Sequence, residues 1–317
     1  MQGAMRKTAI ELLQAGTVDR VLGWKKGLLP EEREIAIFRE KEEIEQELVY
    51  DPCCGQNLSK TLIQESQKIG RILVFLRPCD GAGYDLLLRE HRLRPEGVYT
   101  VGIPCPGVLD LVKLGEKYPQ GLNSLEMVGD EVQLSAQGKA ETLPLASLLA
   151  ETCQSCARVS PVAYEMSLGE GQEQPKPLAL DPYAKVKEIE ALSPEERFRF
   201  WQGELSRCIR CNACRNVCPA CSCRQCVFDN PASGVANKAA ADAFEEKLFH
   251  LIRAYHVAGR CVDCGQCDRV CPEHIPLHLL NRKLRQDLTA FYGEAAGALT
   301  AYALTDAEPG QEKGGGK

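Results

Sequence analysis

Two runs of cysteine dominate the chemistry this sequence can do. Cys208, Cys211, Cys214 and Cys218 are separated by two, two and three residues, with Pro219 next; Cys261, Cys264, Cys267 and Cys271, followed by Pro272, repeat the pattern. An iron–sulfur cubane takes four thiolates, and in this arrangement three close cysteines wrap one cluster while the fourth, beside proline, reaches across to the other. The spacing therefore predicts two 4Fe–4S clusters with exchanged ligands. Cys208, Cys211, Cys214 and Cys271 would hold the first, and Cys261, Cys264, Cys267 and Cys218 the second. Two structural zinc sites are the competing reading, but a zinc ion takes four ligands and has no use for this repeated three-plus-one run. Clusters crossed in this way lie close enough for electrons to hop, so the chemistry on offer is electron transfer.

The chain of 317 residues carries 17 cysteines, eight of them in the arrays. Cysteines grouped as CxxC in a chain this long point to ligation rather than to the disulfide scaffold of a small secreted domain. Cys221, Cys223 and Cys226 exceed what two clusters require; they are either ligands of a further cluster or reduced thiols packed near the first. Cys79 and Cys105 each follow a proline at the carboxyl end of a predicted strand, the edge at which open α/β sheets place ligands. Cys153 and Cys156 form another CxxC. Buried thiols are common core residues, yet four cysteines at loop starts fill a core badly and suit soft-metal chemistry. Cys53 and Cys54 carry no assignment.

Around these ligands the sequence alternates helix and strand signals. Helical patterning at Ala9 to Gln14 precedes an apolar stretch at Val18 to Leu22 and charged, helix-like residues from Glu31 to Glu47. The branched run Arg71-Ile-Leu-Val-Phe-Leu76 stops at Arg77-Pro78 and reads as a buried strand, Tyr84 to Glu90 as a helix, and Val98 to Ile103 as a second strand ended by Pro104. A hairpin is expected around Gly129-Asp130 in residues 124 to 136, then a helix from Leu143 to Ala150. The fold class expected is an α/β N-terminal domain with a parallel sheet, residues 1–168, followed by an all-α dicluster ferredoxin-like domain, residues 194–295. Residues 169–193, rich in Gly, Gln, Glu, Pro and Lys, read as a linker, and 296–317 as a disordered tail. Ser193, Pro194, Glu195 and Glu196 carry the signature of a helix start. Between the arrays Phe244, Leu248, Leu251, Ile252 and Tyr255 form an amphipathic stripe, so a helix is expected there with these residues inward.

The composition excludes several functions. A net charge of −6 with no basic patch offers no general attraction to nucleic acid. No apolar run approaches the ~20 residues of a membrane span and the start reads as a helix rather than a leader, so a cytoplasmic protein is expected. No nucleophile–base arrangement is visible. Gly81-Ala-Gly83 lacks the full dinucleotide fingerprint and reads as a turn. His250, His256, His274 and His278 show no partner spacing and are expected at surface or capping positions. Asp263 and Asp268 would add negative charge beside the second cluster and lower its potential.

Two resemblances extend this reading. The separation of the arrays by a helix, with Glu273-His274-Ile275-Pro276-Leu277 after the second, is similar to the α-helical dicluster module found in the iron–sulfur subunits of heterodisulfide reductase and of succinate dehydrogenase, the former above all, over about residues 196–290. In the first half, Arg77-Pro-Cys-Asp-Gly-Ala-Gly83, Val101-Gly-Ile-Pro-Cys-Pro-Gly107 and Cys153-Gln-Ser-Cys156 running to Met166-Ser-Leu-Gly169 resemble the beta-subunit family of coenzyme F(420)-reducing hydrogenases and formate dehydrogenases. That resemblance implies a third 4Fe–4S cluster on Cys79, Cys105, Cys153 and Cys156, beside a bound flavin such as FAD. The function expected is an electron-transfer subunit whose partners are dehydrogenase, hydrogenase or heterodisulfide reductase-like redox subunits. The alternative is a self-contained flavin and iron–sulfur oxidoreductase reducing F(420) or ferredoxin.

Overall fold

The computed structural model describes residues 1–156, 164–169, 180–230, 232 and 243–293, with side chains of the inter-array helix from Lys247 onward. Its first half contains α1 (Gln2–Gln14), β1 (Arg20–Lys26), β2 (Arg33–Phe38), α2 (Lys41–Glu47), α3 (Ser59–Glu65), β3 (Ile72–Leu76), α4 (Pro78–Arg89), β4 (Val98–Gly102), α5 (Leu111–Lys117), β5 (Ser124–Val128), β6 (Glu131–Ala136), β7 (Lys139–Pro144), α6 (Leu145–Leu148), α7 (Glu151–Gln154) and β8 (Met166–Ser167). The main sheet runs β2-β1-β3-β4-β8. All five residues of β3 are buried, as an unbroken branched and apolar run requires when both faces of a strand are covered. Trp24, Phe38 and Leu22 join it in the core.

The sheet is mixed rather than parallel. β1 pairs in parallel with β3, β3 with β4 and β4 with β8, but β2 returns antiparallel to β1 from Lys26↔Arg33 to Val21↔Phe38. The charged stretch expected to be one helix therefore divides into β2 and α2. Arg33 anchors the strand by a 2.7 Å ion pair to Asp51, and α2 begins only at Glu40, where a capping box with Glu43 satisfies the first backbone N–H groups. The hairpin around Gly129 forms as β5 and β6, and β7 extends it to a three-stranded antiparallel sheet. That strand takes the first residues expected of the next helix, leaving α6 a single turn.

The second half contains α8 (Ala184–Glu190), α9 (Pro194–Ser206), α10 (Ala213–Val217), α11 (Ala243–Val257), α12 (Gln266–Arg269) and α13 (Leu277–Tyr292). Ser193 caps α9, accepting from the Glu196 N–H, with Pro194 in the first turn. Helix α8 lies in the stretch expected as a linker and is tied to α13 by a 2.9 Å Glu190–Lys283 pair; residues 170–179 of that stretch and the tail 296–317 lie outside the described residues.

Helix α11 turns a different face inward from the apolar stripe. Leu248, Leu251 and Tyr255 are exposed, whereas Phe249, His250, Arg253, Ala254 and Val257 are buried. The reason is what the helix covers: the Arg253 Nη2 donates to the Cys214 carbonyl at 3.1 Å, a contact an all-apolar face cannot make.

Candidate metal centre

Both cysteine arrays fold into the same loop. In the first, Arg210 (φ 56°) and Asn212 (φ 62°) are left-handed; in the second, Asp263 (φ 51°) and Gly265 (φ 68°) occupy the matching positions. The curl aims the Arg210 N–H at the Cys208 Sγ (3.3 Å) and the Asp263 N–H at the Cys261 Sγ (3.4 Å). Successive backbone N–H groups in such alternating conformations make the concavities that hold anions and iron–sulfur groups. A short helix follows each loop, α10 in one and α12 in the other, and buries the third cysteine, Cys214 or Cys267.

The cysteines before the prolines swap sides. Cys208, Cys211, Cys214 and Cys271 line one pocket with Phe249, His250 and Asn212. Burial pushes the Cys214 thiol up, Arg253 opposes this, and Cys271 and Cys211 push the same way as burial. Cys218 bears on Cys214 of its own array and on all of the other. Burial raises Cys261, Cys264 and Cys267, and the charge of Cys218 adds to each. The Cys218 thiol itself is lowered, first because Cys221 donates to it and then, against burial, by Arg253 and Lys60. Of the extra cysteines, Cys221 thus sits on Cys218, Cys223 is exposed, and Cys226 lies against Arg215. Among the described residues no three His, Cys, Asp or Glu side chains converge on a single ion; a cubane spreads its four thiolates over four irons.

The first half of the chain gathers its own cysteines beside these. Cys79 lies in the first turn of α4 rather than in a loop. Just before it, Arg77 is wholly enclosed, paired with Asp80 at 2.6 Å and donating to the Cys54 and Gln56 carbonyls. Burial raises the Cys79, Cys105 and Cys153 thiols; Cys105 adds to Cys79 and Cys153, and Cys156 to Cys105 and Cys153, so the four face one another. The charge of Cys264 also bears on Cys79, which puts this set next to the second array. Cys53 and Cys54 lie outside the set, buried against Asp51, and burial carries Cys53 up to about 12.

Side chains lock the two halves together around this junction. Arg260 pairs with the buried Glu90 at 2.5 Å, and Ser222 donates to the same carboxylate at 2.6 Å. Lys60 donates to the carbonyls of Cys218 and Cys221, Gln266 to that of Gly55 and Arg269 to that of Cys53. Ala82 and Leu86 of α4 pack on Ala220, Val257 and Val262, with Cys218, Cys221 and Cys264 at the edge. A Cβ on Gly265 would stand 2.4 Å from the Thr152 Oγ1, so the left-handed glycine also lets the second array approach the turn that carries Cys153.

Sequence reasoning misplaced two histidines here. His278 is buried, bridging Asp268 and, at 3.3 Å, Glu151; burial opposes its charge, but the two carboxylates carry it up to about 9. Asp263 is paired with Arg282 at 2.9 Å. Both aspartates still act on the second array, Asp263 adding to the rise of the Cys261 thiol and Asp268 to that of Cys267. His250, expected at the surface, is 2% exposed and lowered to about 3 by burial and then by Arg253 and Arg210. Both its ring nitrogens, the Arg253 Nε and the Asn212 Oδ1 have no hydrogen-bond partner among the described residues. Each such orphan costs about 1–3 kcal/mol, and these surround the two arrays. Two titratable residues one turn apart on a helix between ligand arrays were the signal available in the sequence.

The donor set, the N–H groups aimed at sulfur and the orphaned polar atoms all fit 4Fe–4S clusters. A family model for the 4Fe-4S dicluster domain matches residues 204–275, taking in both arrays. The chain is an iron–sulfur electron-transfer protein. It is 23% identical over 304 residues to an F(420)-dependent formate dehydrogenase subunit beta of Methanocaldococcus jannaschii, covering 74% of this chain and 77% of that one. It is 24% identical over 285 residues to F(420)-dependent formate dehydrogenase 1 subunit beta of Methanococcus maripaludis, covering 71% and 73%. Among solved structures it matches a chain of the xenon-derivatised F(420)-reducing NiFe hydrogenase complex of Methanosarcina barkeri at 15% identity and TM-score 0.40, over 65% of this chain and 86% of that one. No helix among the described residues is long and apolar enough to cross a membrane.

The space beside Gly83 is filled by Ser59 and that beside Gly102 by Tyr164, so these two glycines serve close packing within the chain.

Proposed function

We propose that this chain is the beta-type electron-transfer subunit of a cytoplasmic redox complex, relaying electrons between a formate dehydrogenase, hydrogenase or heterodisulfide-reductase-like partner and a soluble carrier such as F(420). In this reading Cys208, Cys211, Cys214 and Cys271 hold one 4Fe–4S cluster, Cys261, Cys264, Cys267 and Cys218 a second, and Cys79, Cys105, Cys153 and Cys156 a third. The clusters supply one-electron storage; the chain supplies thiolates, enclosure and a fixed spacing.

The observation that carries the proposal is the packing of α4, whose first turn holds Cys79, on Ala220, Val257 and Val262 with Cys218, Cys221 and Cys264 against them. Arg77 offsets thiolate charge at the first set and Arg253 at the other two. A continuous series of ligand sets suits a conductor between subunits better than an enzyme with one substrate pocket. Exchange with a two-electron carrier such as F(420) would need a flavin to pair the single electrons that the clusters deliver.

The test is anaerobic reconstitution of the full chain. The relay predicts that its visible Fe–S absorbance bleaches with formate only when the dehydrogenase partner is present, and that the chain alone does not turn over F(420). Stoichiometric bound flavin with F(420) reduction by the isolated chain would overturn the relay in favour of a self-contained oxidoreductase.

A further inference from the structure

Helix α11 covers both C-terminal ligand sets with a polar pair that the relay leaves without a task. His250 and Arg253 lie one turn apart on its buried face, 2% and 3% exposed. His250 lines the pocket of Cys208, Cys211, Cys214 and Cys271, its ring edge-on to Phe249 at 5.0 Å between centroids. Arg253 is pinned by its 3.1 Å bond to the Cys214 carbonyl, and Cys214, Cys218 and Cys267 all act on its guanidinium. It thus stands between the two sets.

A buried imidazole with both nitrogens unpartnered is a poor choice for filling a core, since Leu or Phe would fill the space without orphaned polar atoms. The orphaning disappears when the pocket holds a group rich in sulfur acceptors. Hydrogen bonds to cluster sulfur and positive charge beside it stabilise the reduced, more negative state, and so raise the reduction potential.

We infer that His250 and Arg253 set the relative potentials of the two C-terminal clusters: His250 donates a ring N–H to a sulfur of the cluster on Cys208, Cys211, Cys214 and Cys271, and Arg253 lends its charge to both clusters. The pair directs electrons, because a donor that serves one cluster alone tilts the equilibrium towards it. Both are positioning residues acting on cofactors bound by others, and the inference rests on the ligand assignment proposed above.

The test uses the full chain, anaerobically reconstituted, with reduction followed by electron paramagnetic resonance at set potentials. His250→Leu is expected to shift the Cys208-type cluster to lower potential and leave the other in place; His250→Asn, which keeps an N–H donor, recovers part of the shift. Arg253→Met lowers both. In the wild-type chain, histidine labelled with nitrogen-15 in the ring is expected to give a hyperfine coupling to the Cys208-type cluster, a readout that stands even where a variant fails to load. Loaded variants with wild-type potentials, or a loaded wild-type chain with no histidine coupling, overturn the inference. A wild-type chain that binds no pair of 4Fe–4S clusters overturns instead the ligand assignment beneath it.

Discussion

The proposed exchange of ligands between the arrays turns on one thiol, Cys218, which stands in the run of Cys208 and bears both on Cys214 and on Cys261, Cys264 and Cys267. Cys218→Ala is expected to abolish the cluster of the second array and leave most of the first, as read by resonance spectra of the reduced protein; loss confined to the Cys208-type cluster contradicts the exchange. A second single-residue prediction concerns Asp80, the wholly buried partner of Arg77. Removing one member of a buried pair leaves an uncompensated charge, so Asp80→Asn should cost about 3–5 kcal/mol in anaerobic urea unfolding. The dicluster domain was legible in the sequence because thiol spacing is a chemical constraint written along the chain. His250 and His278 were not, since a lone histidine shows no spacing and its burial depends on which face of a helix a distant segment covers.

Among the elements, the contacts that fix α4, α7 and α13 against the second array decide whether the ligand sets stay in register. Glu90 at the end of α4 holds Arg260 and Ser222 of the other half. Arg260→Met should therefore destabilise the chain by about 3–5 kcal/mol and expose a protease-sensitive joint between the halves, whereas a protection pattern like the wild type would show that the joint does not depend on this pair. The His278 bridge between Glu151 of α7 and Asp268 of α12 makes the junction sensitive to pH. The folded His278 is raised from 6.5 to about 9, so its stabilisation is complete below pH 6.5 and fades as pH rises towards 9. Glu151, for which burial is outweighed by His278 and Lys185, is depressed from 4.5 to about 2, so its share is present above 4.5 and lost as pH falls towards 2. Urea stability should drop by roughly 3 kcal/mol from pH 6.5 to 9, and His278→Gln should flatten that slope. The sequence revealed β3, β4, the first hairpin and the α9 cap through local signals. It did not reveal β2, whose short run Ile35-Ala36-Ile37-Phe38 lies between charged residues on a strand that needs β1 to pair with, or the inward face of α11, which carries His250 and Arg253 in place of Leu248, Leu251 and Tyr255.

Across the whole molecule, the N-terminal sheet and the helical C-terminal half each bring cysteines to a shared junction, so in the proposed relay one chain would hold three ligand sets in series. The series, rather than any one site, is what makes the chain a conductor, and metal analysis combined with a resonance-monitored redox titration of the anaerobically purified chain tests it most directly. About eight irons are expected from the C-terminal pair and about twelve with the N-terminal set, with broadened spectra from clusters that interact when reduced together. Zinc at about two per chain with little iron, or clusters whose spectra show no interaction, would contradict the series.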